Sequence, residues 1–460
     1  MRGLQADWRP TVLFLSILAA YLNSLSGAFQ FDDYSVIVHN PVVHSFGAWF
    51  SDAIKPFGDK PFIGGIRPVL KLAYTLNWTS GLGELGFHIL NISIHTANSL
   101  LAYLLMSRLT RNASASFLAA MIFALHPVQT EAVTYISGRS TSLMTFFYLS
   151  GVLAYEKGVG DGRRTMTHFV SPALFVLAVL TKEVAATLPF ALLLIERTFR
   201  PGEKWRAALG RQAVHWGILL ALPVFLIAHG GYERLIEGSL GARAISVNLL
   251  TQINGITYLA SRLFVLNGMN IDPDLPVIPE WNIKVVAEIS LLFSVFIIGI
   301  INLKKRHKKG LQAPWLFFGI MWFFIHLLPT NSFLPRLDVA NDRQLYLPLF
   351  GIALIAGVLA ERLSLKYGKR AVNACMAGIL VLLGVFTIIR NHDYRSEVAL
   401  WEDTVRKSPL KARPYNNLGY AYELEGNADM AKEHYLRALR LKPDYELTRN
   451  NLERLEKPSH

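Results

Sequence analysis

Residues 87–109 read FHILNISIHTANSLLAYLLMSRL. A helix needs about 20 mostly apolar residues to cross a hydrocarbon layer of about 30 Å, and this run supplies them, with no charge before Arg108. His88 and His95 stand seven apart on one helix face, a placement suited to hydrogen bonds between helices. Comparable apolar runs lie on both sides of it, at 11–29, 216–228, 285–303, 315–328, 345–360 and 371–389. Shorter ones, at 114–125, 143–155, 169–180 and 184–195, need help from flanking polar residues. The chain of 460 residues is 52% hydrophobic and only 17% charged, too few charges to solvate several globular surfaces. The pattern predicts an all-α, polytopic membrane protein.

Lys and Arg exceed Asp and Glu by 46 to 33, a net charge of +13. In a soluble chain that excess would suggest nucleic acid; here it falls in loops that the positive-inside rule places in the cytoplasm. Those loops hold Arg108 and Arg111, then Arg163 and Arg164, then Arg197 to Arg211, the basic cluster 304–309, and Arg362 to Arg370. Basic residues on both flanks of 169–195 require a helical hairpin with Thr181-Lys182-Glu183 at its outer tip. The run 249–269 is read as a re-entrant or interfacial helix, since a crossing there would put the 304–309 cluster outside. The count is about 11 transmembrane helices, with the N-terminus inside and the C-terminus outside. The first run is read as an uncleaved anchor because Asp32 and Asp33 follow it at once. The single cysteine, Cys375, excludes an intrachain disulfide or a Cys-rich metal site.

Past Arg390 the composition becomes charged and soluble. With Ala412 opening a 34-residue unit, Tyr415, Leu418, Gly419, Tyr422, Ala431, Tyr435, Ala438 and Pro443 fall on the tetratricopeptide pattern. One period earlier Trp401 and Pro409 match Tyr435 and Pro443, marking a degenerate half-repeat, and Glu446 to Lys457 reads as a capping helix. Fewer than three repeats rarely bury a core alone, so the module is expected to lean on the membrane domain or a protein partner. The domains are thus 1–390, a transmembrane domain with a first outer loop at about 30–84, and 391–460, the repeat module on the non-cytoplasmic side.

The chemistry-bearing residues collect in the outer loops. FQFDDYSVIVHNPVV, residues 29–43, places adjacent carboxylates Asp32 and Asp33 just after a spanning helix, costly unless they face water or a polar cavity. One can serve as a general base; the alternative is a pair marking the membrane edge or capping the next helix. Further loops add Arg67 and Lys71, then His126, Glu131 and Arg139, then Lys182 and Glu183, and Asp342, Arg343 and Tyr346. Arginine or lysine beside a bilayer can neutralise a phosphate, arginine with a bidentate fork. Asp272-Pro273-Asp274 has the D-x-D form of some metal-binding loops, but its proline equally fits a structural turn. The histidines lack compact ligand spacing, so no metal site is assigned and metal dependence stays open.

Taken together, FDDYSVIVHNP, FHILNISIHTANSLLAYLL, FALHPVQTEAVTYISGRS, LTKEVAATLP and DRQLYLP followed by a tetratricopeptide repeat resemble the transmembrane and tetratricopeptide-repeat O-mannosyltransferase family, GT-C glycosyltransferases related to the protein O-mannosyltransferases. The resemblance spans nearly the whole chain. It implies an enzyme that takes a sugar from a polyprenyl-phosphate donor, with no further cofactor, and passes it to a protein or glycolipid hydroxyl on the outer side. It maps the acidic pair onto Asp32 and Asp33, the phosphate-region arginine onto Arg139, and the Lys-Glu motif onto Lys182 and Glu183. Arg343 joins Arg139 and Lys182 as a donor-phosphate ligand, and Arg67, His126, Glu131, Glu183 and Tyr346 are the expected substrate-binding residues. Two departures stand out: Asp342 occupies the place of a glutamate, and one repeat is complete where eukaryotic members carry long arrays. The short array points to a bacterial inner membrane, with active site and C-terminus in the periplasm. The competing readings are a polysaccharide ligase or polymerase using lipid-linked sugars, and a transporter or repeat-bearing membrane scaffold.

Overall fold

The computed structural model describes residues 7–55, 67–228, 232–305, 314–336 and 338–456. Most of the basic cluster 304–309 lies outside these. Among the described residues the secondary structure is helical, without a strand.

The helix Gly83–Thr110 forms the spine of the membrane domain, and its polar residues point inward. His88 Nε2 donates to Gly27 O at 3.0 Å, and Asn98 Nδ2 to Ser142 O at 2.8 Å. His95 Nε2 donates to Ala124 O at 3.0 Å, leaving Nδ1 to accept the Tyr346 hydroxyl at 2.7 Å. His95 therefore cross-links two helices, as the spacing suggested, while His88 ties the spine helix to the loop that follows the first helix. Glycine permits the closest helix contacts: a Cβ at Gly351 would sit 2.7 Å from Gly319 O, so the helices Trp315–Leu327 and Leu349–Tyr367 touch backbone to backbone. Small residues at such contacts are how helices associate where lipid offers no hydrophobic driving force.

Each predicted run is helical, but their lengths do not establish 11 spans. Among the described residues three helical segments are long and apolar enough to cross a membrane: Gly83–Thr110, Ile283–Leu303 and Lys369–Asp393. Only 11% and 17% of the apolar windows of the last two are buried, so Leu291, Phe293, Val381 and Leu382 face outward, as they would toward lipid. A fourth candidate is broken: Ala113–Leu125 and Pro127–Val133 meet at 52°. Proline at 127 removes an N–H and stops the helix at His126. Residues 124–145 that follow the bend are all buried within the protein, the condition under which irregular backbone is tolerated at membrane depth. The helix Ile245–Arg262 is not among the candidate spans, and it buries Asn248, Gln252 and Asn254.

The repeat module comprises Glu397–Lys407, Ala412–Leu424, Ala428–Leu441 and Glu446–Glu456. Its signature has a steric reason: a Cβ at Gly419 would lie 2.7 Å from the ring of Tyr435, which is fully buried. The module docks on the membrane domain. Asp272, buried, takes Arg413 Nε at 2.7 Å together with the Lys411 ammonium, and Arg413 also meets Asp338. Arg390 bridges Asp393 and Asp403 at 3.0 and 2.8 Å. Asp272 is thus a docking residue whose oxygens are occupied by two cations, while Asp274 is exposed.

Candidate active site

The loops read from the sequence as outer converge on a cleft of about 1020 Å³ open space, mouth included, at the end of the membrane domain that carries the module. Among the described residues its lining contains one carboxylate, Asp32, and five cations: Arg67, Lys71, Lys182, Arg336 and Arg343. Leu70, Met144, Val184 and Leu347 supply an apolar portion of the wall.

The acidic pair is divided by the turn that carries it. Phe31 adopts a left-handed conformation, φ +48°, which a non-glycine residue holds only when neighbours impose it. Its N–H donates to Glu397 Oε1 at 3.3 Å, and its ring packs edge-on against Trp401 with centroids 5.1 Å apart. Both partners belong to the first helix of the repeat module. The Asp32 N–H donates to the Tyr135 hydroxyl at 3.0 Å, and its carboxylate reaches the cleft. Asp33 turns inward, has no exposed surface, and accepts from Gln30 N at 3.0 Å, Ser137 N at 2.8 Å and the Ser137 hydroxyl. Burial pushes the Asp33 carboxyl up to about 7 against those hydrogen bonds, and Asp32 adds to the rise.

Among the described residues, four of the five cations have a side-chain partner. Arg67 makes a bidentate pair with Glu183 at 2.8 and 3.3 Å; burial would raise that carboxyl, but Arg67 outweighs it and brings Glu183 down to about 2. Lys71 meets Asp52 at 3.1 Å. Glu131, buried, accepts the Arg343 backbone N–H at 3.0 Å and lies 3.4 Å from its side chain, holding it from behind. Lys182 donates to Thr141 Oγ1 at 2.7 Å and, like Arg336, has no carboxylate within 4.0 Å among the described residues. Burial, reinforced by Arg343 and Arg67, holds the Lys182 ammonium well below its usual range. An anion entering the cleft relieves that strain.

Besides Asp33, Glu131 and Glu183, which support the cleft from behind, three more expected site residues do not line it. Arg139 has no exposed surface; it donates to Asn91 Oδ1 at 2.6 Å, Ala73 O at 3.1 Å and Phe87 O at 2.9 Å, and it stacks over Tyr74 and Phe87. It staples the bent segment to the spine helix and does not line the cleft. Tyr346 is buried with its hydroxyl shared by His95 and Asn98. His126 caps the bend, accepting Val128 N at 3.2 Å and donating to Leu263 O at 3.2 Å. The sequence reading missed Arg336, a lone arginine in FLPRLDV with no motif around it; its distance of seven residues from Arg343 was the only available signal.

A tetratricopeptide-repeat family model matches residues 412–445. Along nearly its full length the chain is similar to several curated proteins. It is 25% identical to protein O-mannosyl-transferase TMTC3 of Mus musculus over 96% of this chain and 52% of that protein. It is 28% identical to protein O-mannosyl-transferase F38B6.6 of Caenorhabditis elegans over 97% and 64%, and 26% identical to protein O-mannosyl-transferase TMTC4 of Homo sapiens over 93% and 66%. The chain therefore spans about half to two thirds of the length of these relatives. The motifs of the outer loops and the repeat match at 412–445 agree with that likeness: the chain is a homologue of the TMTC protein O-mannosyl-transferases that carries a tetratricopeptide repeat.

Proposed function

We propose that this chain is a polytopic glycosyltransferase of GT-C type that moves a sugar, mannose by its relatives' names, from a polyprenyl-phosphate donor to a protein hydroxyl on the non-cytoplasmic side of its membrane. The observation that carries the reading is the pairing, among the described residues, of a single cleft-lining carboxylate, Asp32, with five cations. A lipid-linked sugar phosphate needs that combination: a base for the acceptor and positive charge for the leaving group. The apolar wall of Leu70, Met144, Val184 and Leu347 suits the first isoprene units.

In the proposed reaction Asp32 takes the proton of the acceptor hydroxyl as its oxygen attacks the anomeric carbon from the side opposite the phosphate. The bond from that carbon to the phosphate oxygen breaks, its electron pair leaves on the phosphate, and configuration inverts. Lys182 and Arg336 stabilise the growing charge, with Arg343 beside them. Asp33 holds the loop and does not meet substrate. Positive-inside orientation puts the cleft and module outside the cytoplasm.

The test is turnover by the purified chain in lipid nanodiscs with polyprenyl-phosphate mannose and a pool of hydroxyl-bearing peptides, read by mass spectrometry and product anomeric configuration. Inverted mannose on serine or threonine supports the proposal. A donor left intact over many hours, in protein shown to be folded, sinks it.

A further inference from the structure

The turn that presents Asp32 separates two spaces. Asp32, Val36 and Asn40 line the cationic cleft; Phe31 and Tyr34, on its other side, form one wall of a groove of about 630 Å³ whose opposite wall is the repeat module. That wall is built from Glu397, Asn417, Tyr420 and Leu447. Two of its polar atoms are buried and without a hydrogen-bond partner: the second carboxylate oxygen of Glu397 and the Asn417 Nδ2. The neighbouring Asn416 differs, because its Oδ1 takes Thr448 and Asn451 at 2.9 and 3.1 Å and its amide nitrogen donates to Asn417 Oδ1 at 3.2 Å. Asn416 is therefore structural, and Asn417 is left with a donor to give.

Unpaired buried polar atoms are uncommon in folded proteins and each calls for an explanation. Here the acceptor and the donor belong to two residues that line a groove with aromatic and aliphatic walls. An extended peptide offers the complement, an N–H and a C=O along one edge with side chains alternating to either side. A glycolipid acceptor offers many hydroxyls but no such paired edge.

We infer that the groove between the first outer loop and the repeat module holds an extended segment of the acceptor polypeptide, with Glu397 accepting a peptide N–H, Asn417 donating to a peptide carbonyl, and Tyr34 and Tyr420 flanking the chain. The segment lies one turn of backbone from Asp32, so a serine or threonine in it has a short path over Phe31 into the cleft. A single complete repeat suffices because the membrane domain supplies the second wall. This rests on the transferase reading above.

The experiment uses the full chain in nanodiscs, polyprenyl-phosphate mannose, and a pool of randomised decapeptides with a central threonine, with peptide KM and donor KM measured separately. Asn417→Asp turns the donating atom into an acceptor at constant shape, and Leu447→Arg puts bulk and charge at the groove wall without touching the cleft. Each is expected to raise peptide KM about tenfold or more, the scale of one lost hydrogen bond or a blocked contact, with donor KM unchanged. Wild-type peptide KM in both variants overturns the inference. So does a wild-type protein that transfers mannose to glycolipid but to no peptide, which leaves the transferase reading intact. A wild-type protein that consumes no donor removes the transferase reading and the groove's role together.

Discussion

Trp401 offers a direct way to separate the repeat module's contribution to chemistry from its contribution to stability. Phe31 holds a left-handed backbone at φ +48°, which costs about 1–3 kcal/mol for a residue with a side chain. What opposes that cost is the edge-on contact with Trp401 and the hydrogen bond to Glu397. Trp401 is almost fully buried, and removing such a side chain typically forfeits about 3–5 kcal/mol of packing. Even half of that, assigned to the Phe31 contact, matches the cost of the left-handed turn, so in Trp401→Ala the turn relaxes toward ordinary backbone and Asp32 swings away from the cleft. A displacement of about 1 Å costs about 10²-fold in rate. The expected result is a fall of that order in kcat at saturating acceptor, with polyprenyl-phosphate affinity unchanged because Lys182, Arg336 and Arg343 are untouched. Trp401→Phe, which keeps an aromatic partner, is expected to recover much of the rate. Limited proteolysis at the 391–396 junction reports whether the module is still docked. Wild-type kcat in Trp401→Ala with the module docked would refute the reasoning.

Three other outcomes follow from the same geometry. Asp33 has its carboxyl raised from 3.8 to about 7, so the folded state holds a proton that the unfolded chain has already released between those values; stability is fullest below about pH 4 and declines as pH rises through 7. Asp33→Asn abolishes that slope and, by setting an amide against the Gln30 N–H, costs about 1–3 kcal/mol, as thermal melts across pH 4–8 in detergent will register. Lys182, held below its usual range, gains an anionic partner when a phosphate arrives, so its ammonium is expected to titrate higher in the donor complex than in the free protein, and Lys182→Met to weaken donor binding in calorimetry. Arg139→Lys, which loses the three-way link to Asn91, Ala73 and Phe87, is expected to lower the melting temperature by several degrees while folded molecules keep their donor affinity.

The sequence showed clearly those features whose physics is local. The repeat register followed from Gly419 and Tyr435 because that pair meets within one helical hairpin, and the inward face of residues 87–109 followed from helical periodicity. Lys182 and Glu183 at a hairpin tip were legible from charge alone; Lys182 lines the cleft and Glu183 anchors Arg67 there. What remained hidden depended on backbone direction over one or two residues. Asp32 and Asp33 are chemically the same, and only the turn at Phe31, imposed by a residue 370 positions away, decides which faces the cleft. Arg139 follows a 52° bend at His126-Pro127, so an arginine expected in an outer loop is buried at the start of a new helix. The count of 11 spans is not confirmed for a related reason: apolar helices such as Met166–Thr181 and Ala113–Leu125 end short of the length a single span needs, at turns that periodicity cannot register.

The central claim is that Asp32, alone among the described carboxylates, meets the reacting atoms. Parallel turnover and donor-binding measurements on Asp32→Asn and Asp33→Asn in nanodiscs test it most directly, because the two variants change adjacent, chemically identical groups. The account predicts that Asp32→Asn lowers transfer by about 10²–10⁴-fold with donor affinity retained, while Asp33→Asn loses stability yet, in its folded fraction, keeps most of its rate. Near-normal transfer by Asp32→Asn, or a loss of chemistry confined to folded Asp33→Asn, would contradict it.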